Sequence, residues 1–425
     1  MKRIAILIAT VILISSLVAC SSPQVSTPDV KSDKSQVSPP ETPNNNPTTL
    51  VGGNTAFALD LYQELKAAEG NIFYSPYSLS LALAMTYAGA RGETEQQMAE
   101  ALNFYLSQEQ LHHAFNQLDQ ELASRGEGAE GKDGEGFRLN IVNDIWGQKD
   151  FVFLSDFLDT LAENYGVELR TLDFINAPEE SRITINDYIS EQTEERIKDL
   201  IPEGIIDDIT RLVLTNAIYF NAAWEYPFGE GITAEGTFHL LDGGEVTIPM
   251  MHQGELLGYT EGDDYQAVEL KYDGEELSMV ILLPESGQFE NFEMALDAEL
   301  LNDIIDNLEK RNVELTMPKW DFEASFMMKE VLESLGMPIA FTDAADFSGM
   351  TGERDLYIDN VIHKACVSVD EAGTEAAAAS AVIMKITSAP ADPAVVTVDR
   401  PFIFLIRDIE TGAILFFGRV VNPVE

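Results

Sequence analysis

Few side chains in this sequence can do chemistry. There are five histidines, His112, His113, His239, His252 and His363, and two cysteines, Cys20 and Cys366. The turn that exposes a hydrolase nucleophile, G-x-S-x-G, does not occur. H-E-x-x-H, C-x-x-C and the phosphate-binding P-loop are also missing. His112 and His113 are adjacent, so a helix turns them to different faces and they form no chelating pair. Asp263-Asp264 lacks the spacing of a calcium loop. No cofactor or metal is implied, and an enzyme reading has no positive feature to stand on.

One segment has an unusual physical pattern. Glu371–Ser380, preceded by Asp370, contains four consecutive alanines, Ala376–Ala379. Alanine runs favour helix, and by composition alone this is a helix. Two features oppose that. The run leads into β-branched Val382, Ile383 and Ile386, then into the Pro-rich loop Ser388–Pro393. The alternation is also clean. Thr374, Ala376, Ala378, Ser380, Val382, Met384 and Ile386 share one strand face, small at first, then apolar, without charge. Glu375, Ala377, Ala379, Ala381, Ile383 and Lys385 share the other, which carries both charges. Such a segment is compatible with two states, an exposed loop and a strand buried on one face.

Around it the chain reads as α+β with large sheets. Phe57, Ala58, Leu61, Tyr62 and Leu65 fall on one helical face. Ser78–Ala88 is helix-prone, Thr94 and Gln97 fit a capping box, and a polar helix is expected near Ile183–Leu200. Leu212–Phe220 is an almost unbroken apolar run, the mark of a strand covered on both faces. Further strands are expected at Ala267–Tyr272, Met279–Leu283, Val313–Met317, Val361–Val369, Phe402–Ile406 and Ala413–Val421. Gly126–Gly136 reads as a mobile loop, and no internal repeat occurs.

The formal net charge is −46, with 72 acidic residues against 26 basic ones. A surface this negative repels nucleic acid and anionic membrane surfaces. The N-terminus reads as an export signal: basic Lys2 and Arg3, apolar Ile4–Val18, and small residues at the end. Leu17-Val18-Ala19-Cys20 resembles a bacterial lipobox, which implies removal of residues 1–19 and a lipid on Cys20. An ordinary signal peptide with an incidental Cys20 is the alternative. Residues 20–51 are Ser-, Pro-, Thr- and Asn-rich and read as a flexible tether, leaving 52–425 as the folded domain. About 30 such residues reach roughly 30 Å on average. With Cys20 acylated, no intramolecular disulfide is possible, and the strand-like surroundings of Cys366 suit a buried structural thiol.

From about Asn54 to the C-terminus the chain resembles the serpin family. The resemblance rests on many stretches in order. They are Asn71-Ile72-Phe73-Tyr74-Ser75-Pro76-Tyr77-Ser78, Leu214-Thr215-Asn216-Ala217-Ile218-Tyr219-Phe220 with Trp224, Met317-Pro318-Lys319, Leu335-Gly336-Met337, His363-Lys364-Ala365, the alanine-rich segment, Arg400-Pro401-Phe402 and Phe417–Pro423. It implies a serpin fold: a large central mixed sheet, further sheets, about eight or nine helices, and an exposed reactive-centre loop at about 371–398. It implies a protease as partner, and no catalysis by the chain itself. A protease cleaves the loop and is trapped as an acyl-enzyme when the hinge inserts into the main sheet. About a dozen new backbone hydrogen bonds supply on the order of 10 kcal/mol, so the uncleaved fold must be metastable.

The resemblance also assigns residues. The hinge comprises Glu371, Gly373, Thr374, Glu375, Ala376, Ala377, Ala378, Ala379 and Ser380. Ser75, Ser78, Asn216 and His363 match the shutter, where the sheet parts; by its strand position His363 also reads simply as a satisfied core histidine. Trp224 and Glu371 match the breach, where insertion begins. The family's spacing puts the cleaved bond at Thr387–Ser388, with Lys385–Ile386 and Met384–Lys385 as rivals. Serine proteases are the expected targets, with papain-type cysteine proteases also open, and the protein is expected to be an exported monomer. The other functional reading is a non-inhibitory serpin that acts as a surface binding protein.

Overall fold

A computed structural model describes residues 32–38, 46–126, 138–374 and 392–424. Its helices are α1 Asn46–Leu65, α2 Pro76–Tyr87, α3 Gly92–Ala101, α4 Gln108–Ala123, α5 Ser155–Tyr165, α6 Pro178–Gln192, α7 Phe289–Ala295, α8 Ala298–Asp306, α9 Lys329–Ser334 and α10 Ser348–Thr351. The strands are β1 Ile72–Tyr74, β2 Arg138–Gln148, β3 Arg170–Leu172, β4 Leu212–Ala223, β5 Ala234–His239, β6 Glu245–Glu261, β7 Tyr265–Lys271, β8 Leu277–Pro284, β9 Glu309–Pro318, β10 Trp320–Met327, β11 Val361–Val369, β12 Gly373–Thr374, β13 Ala394–Thr397, β14 Phe402–Asp408 and β15 Ile414–Val420. The α+β expectation holds. The described residues contain ten helices, more than the eight or nine expected, because α9 and α10 are only one or two turns long.

The main sheet has six strands in the order β10-β11-β12-β4-β2-β3 and is mixed, with β11 parallel to β4 and β2 antiparallel to it. A nine-stranded sheet runs β1-β15-β14-β8-β7-β6-β9-β13, with β5 on β6. Every residue of α2 is buried, because the helix packs against β4 and β2 of one sheet and β15 of the other. On the opposite face of the main sheet, Ile185 and Ile189 of α6 join Val142, Trp146, Val213, Ala217 and Ile362 in a separate apolar cluster. Strand β4 is therefore buried over its whole length, which explains its near-continuous apolar sequence.

Three local expectations change. The chain taken as tether contributes to the fold. Residues 46–51 begin α1, where Pro47 in the first turn forfeits no helical hydrogen bond and Leu50 and Val51 are buried. Further upstream, the Val37 amide donates to the Glu163 carbonyl at 2.9 Å, and Asn116 Nδ2 donates to the Val37 carbonyl at 2.8 Å. Lys34 pairs with Glu163 of α5 at 3.1 Å. The capping box at α3 is not made either: Thr94 Oγ1 accepts instead from the Asp346 amide at 2.8 Å. Third, the polar helix is displaced to Pro178–Gln192, opening at a proline suited to a first turn. Residues 127–136 of the Gly-rich loop lie outside the described residues.

Candidate functional site: shutter, breach and hinge

The four residues that match the shutter by resemblance meet where α2 packs on the middle of β4 and β11. Ser75 caps α2: its side chain accepts from the Ser78 amide at 3.1 Å, satisfying one of the helix's free N–H groups. Strand register sets His363 directly beside Asn216. Both point toward α2 and both are fully buried. The Ser75 amide donates to His363 Nε2 at 3.0 Å. His363 Nδ1 therefore carries the ring proton and donates to Asn216 Oδ1. Asn216 Nδ2 in turn donates to Ser78 Oγ and Asn143 Oδ1. Burial pushes the His363 pKa down to about 3, so the ring is neutral. Neutrality is also what the geometry demands, since Nε2 must accept. The two readings of His363 converge: it is a satisfied core histidine, and it joins two strands to a helix.

Asn143 of β2 extends this network to a third strand, and sequence reasoning missed it. The available signal was weak: Asn143 sits beside Asp144 between the apolar pairs Ile141-Val142 and Ile145-Trp146. Its partners, Ser78 and Asn216, are each more than sixty residues distant in sequence.

The breach lies at the top of the same sheet. Trp224 Nε1 donates to the Asp370 carbonyl at 3.0 Å, and its backbone amide donates to the Ala372 carbonyl at 2.9 Å. Glu371 receives Lys319 Nζ at 2.6 Å and Thr233 Oγ1 at 2.7 Å. Burial alone raises the Glu371 pKa, but the hydrogen bonds from Lys319 and Thr233 outweigh it and hold the carboxyl below its usual range. Asp370 Oδ1 accepts from the amides of Ala372 and Gly373, which turns the chain back toward the sheet. Lys319 and Thr233 were not assigned from sequence. Lys319 falls in the family-matching stretch Met317-Pro318-Lys319 but carried no assigned role, and nothing local marks Thr233.

Gly373 and Thr374, two of the residues assigned to the hinge by resemblance, lie within the main sheet. Pairing of β11 with β4 stops at Ala365/Ile218. Above that point β12 occupies the slot, antiparallel to both: Thr374 pairs with Val369 and Ala222, and Gly373 with Ala223. A Cβ on Gly373 would meet the Ala222 carbonyl oxygen at 2.1 Å, so only glycine allows this approach. Thr374 is 2% exposed, and its hydroxyl lies 2.7 Å from Tyr272 Oη. The face that the alternation marked as small and uncharged is the face turned inward here. Glu375, Ala376–Ser380, Met384, Lys385, Ile386, Thr387 and Ser388 lie outside the described residues, as does Cys20.

Residues 52–423 match the family model described as Serpin (serine protease inhibitor). The chain belongs to the serpin family. It is similar to a serpin-like protein of Thermococcus kodakarensis, 40% identical over 88% of this chain and 86% of the relative. It is also similar to the leukocyte elastase inhibitor of Sus scrofa, 40% identical over 88% and 99%. Among solved structures, the thermophilic serpin tengpin in its native state matches with a TM-score of 0.83 at 30% identity, covering 94% of this chain and all of that one. Thyroxine-binding globulin in complex with thyroxine matches with a TM-score of 0.77 at 30% identity, over 89% and 99%. Members of this family act as protease inhibitors rather than as catalysts, and proteases are their partners.

Proposed function

We propose that this serpin is an irreversible, suicide-substrate inhibitor of serine proteases, working by loop cleavage, acyl-enzyme trapping and hinge insertion. The observation that carries this reading is β12. Its two residues sit at the mouth of a slot between β11 and β4, and the sequence beyond them presents small uncharged residues at every inward position through Ser380. Continuing the strand therefore buries no charge and adds backbone hydrogen bonds on both sides. The similarity to an elastase inhibitor suits the proposed cleavage at Thr387–Ser388, and a trypsin-like target would suit Lys385–Ile386. Incubation with a panel of serine and cysteine proteases should give an SDS-resistant covalent complex with at least one. Clean cleavage by all of them overturns the reading. Sequencing the released C-terminal peptide identifies the bond.

The likeness to thyroxine-binding globulin keeps a second reading open, a non-inhibitory serpin that binds ligands or partners at a surface. Thermal melts before and after loop cleavage separate the two: a large rise in Tm accompanies insertion, and no rise supports the binding protein.

We further propose export and lipid anchoring through Cys20, with the domain acting as a monomer. Residues 32–38 pack on α4 and α5. Membrane fractionation of wild type and Cys20→Ala checks the anchoring; equal partitioning refutes it.

A further inference from the structure

Tyr272 follows β7 in the nine-stranded sheet, yet its hydroxyl ends in the slot of the main sheet, 2.7 Å from Thr374 Oγ1. The ring is fully buried. It stacks on Trp224 with centroids 4.7 Å apart and planes 12° apart, and meets Phe220 edge-on at 5.1 Å. A backbone bridge links Tyr272 to Trp224, and its amide donates to the Leu277 carbonyl at 3.0 Å. Ring and backbone are thus held from several directions, so the hydroxyl has a fixed position.

That position discriminates between registers. A slip of the incoming strand by one residue would bring Gly373 or Glu375 to the hydroxyl and turn every later side chain to the wrong face. A slip by two would bring Ala372 or Ala376, which offer no hydroxyl and leave a buried phenol unpaired, a costly arrangement. Among these registers only the one with Thr374 beneath the hydroxyl satisfies it.

We infer that Tyr272 is a positioning residue for strand insertion: its hydroxyl seats Thr374, sets the register, and holds the uncleaved hinge two residues into the sheet. This rests on the inhibitory reading above. Tyr272→Phe would leave the Thr374 hydroxyl buried without its partner, so the hinge leaves the seat. Insertion must then begin from outside and slows relative to hydrolysis of the acyl-enzyme.

The test uses the full chain as Tyr272→Phe, Thr374→Ser, Thr374→Val and the Tyr272→Phe/Thr374→Val double variant. Deuterium uptake over 370–374 in the uncleaved protein reads the seat, and moles of serpin consumed per mole of protease trapped read the insertion. Tyr272→Phe should speed exchange about tenfold and raise the stoichiometry, while Thr374→Ser stays like wild type. The double variant should be less impaired than the product of the singles, because both hydroxyls are gone together. A role in packing alone predicts multiplicative singles, with exchange over 370–374 unmoved by Tyr272→Phe; either result overturns the inference. The exchange measurement needs no protease, so it decides this point even if wild type traps nothing, which is the separate failure of the inhibitory reading.

Discussion

Thr374→Arg places the largest demand on the proposed mechanism. Thr374 is 2% exposed and lies between Val369 and Ala222. An unpaired charge buried there costs about 3–5 kcal/mol. Because β12 is at the open end of the slot, the guanidinium can reach partly back to water, so the lower end of that range applies. About 3 kcal/mol slows insertion roughly a hundredfold, at 1.4 kcal/mol per tenfold. Acyl-enzyme hydrolysis is unaffected and now wins the competition. Titration of a sensitive protease should show more than about tenfold more serpin consumed per protease trapped, and gels should show cleaved serpin in place of covalent complex. Glu375→Arg is the control, since alternation puts that position on the outward face. An unchanged stoichiometry for Thr374→Arg, or equal loss from Glu375→Arg, would show that the inserting strand does not run in the register seen at β12.

Lys319→Ala removes the cation from a half-buried pair with Glu371. We expect a loss of about 1–2 kcal/mol, discounted because Lys319 is partly exposed, seen as a lower Tm and faster spontaneous loss of inhibitory activity. An unchanged Tm would mean the pair is solvated. Asn216→Ala leaves His363 Nδ1 without its acceptor and Ser78 without its donor; a drop of about 2–3 kcal/mol in urea unfolding is expected, and a loss below about 0.5 kcal/mol would contradict the network. His363 is also the source of an acid sensitivity. Its pKa falls from 6.5 to about 3 on burial, so the unfolded chain takes up the extra proton between those values. Stability is intact above about pH 6.5 and falls as the pH drops, by about 2 kcal/mol at pH 5. Buried His112, also lowered to about 3, adds to this slope, and Asp119, raised to about 6, opposes it. The measurement is therefore the difference in pH slope between wild type and His363→Asn; identical slopes would refute the assignment.

Some of the architecture was legible from local pattern because the physics is local. The unbroken apolar run of β4 announced burial on both faces, and the uncharged alternation that starts at Thr374 agrees with the burial of that residue in β12. Elsewhere local pattern misled or said nothing. Strand β6, seventeen residues long with a mixed burial pattern, was not expected, because each stretch meets a different neighbour and no single alternation persists. The capping box failed because Thr94 is claimed by Asp346, about 250 residues downstream.

Sequence alone determined the family, the α+β class, and four of the five side chains joined in the polar network beneath α2. All of these follow from residue types in order along the chain. Tertiary structure decided which partners complete them: Asn143 at the shutter, Lys319 and Thr233 on Glu371, and Tyr272 beneath Thr374. It also decided that Gly373 and Thr374 lie within the main sheet. The reason is common to all of these. A buried polar group must be satisfied by whatever donor or acceptor the fold brings within about 3 Å, and that neighbour is set by how strands from distant parts of the chain come together, which no local pattern records.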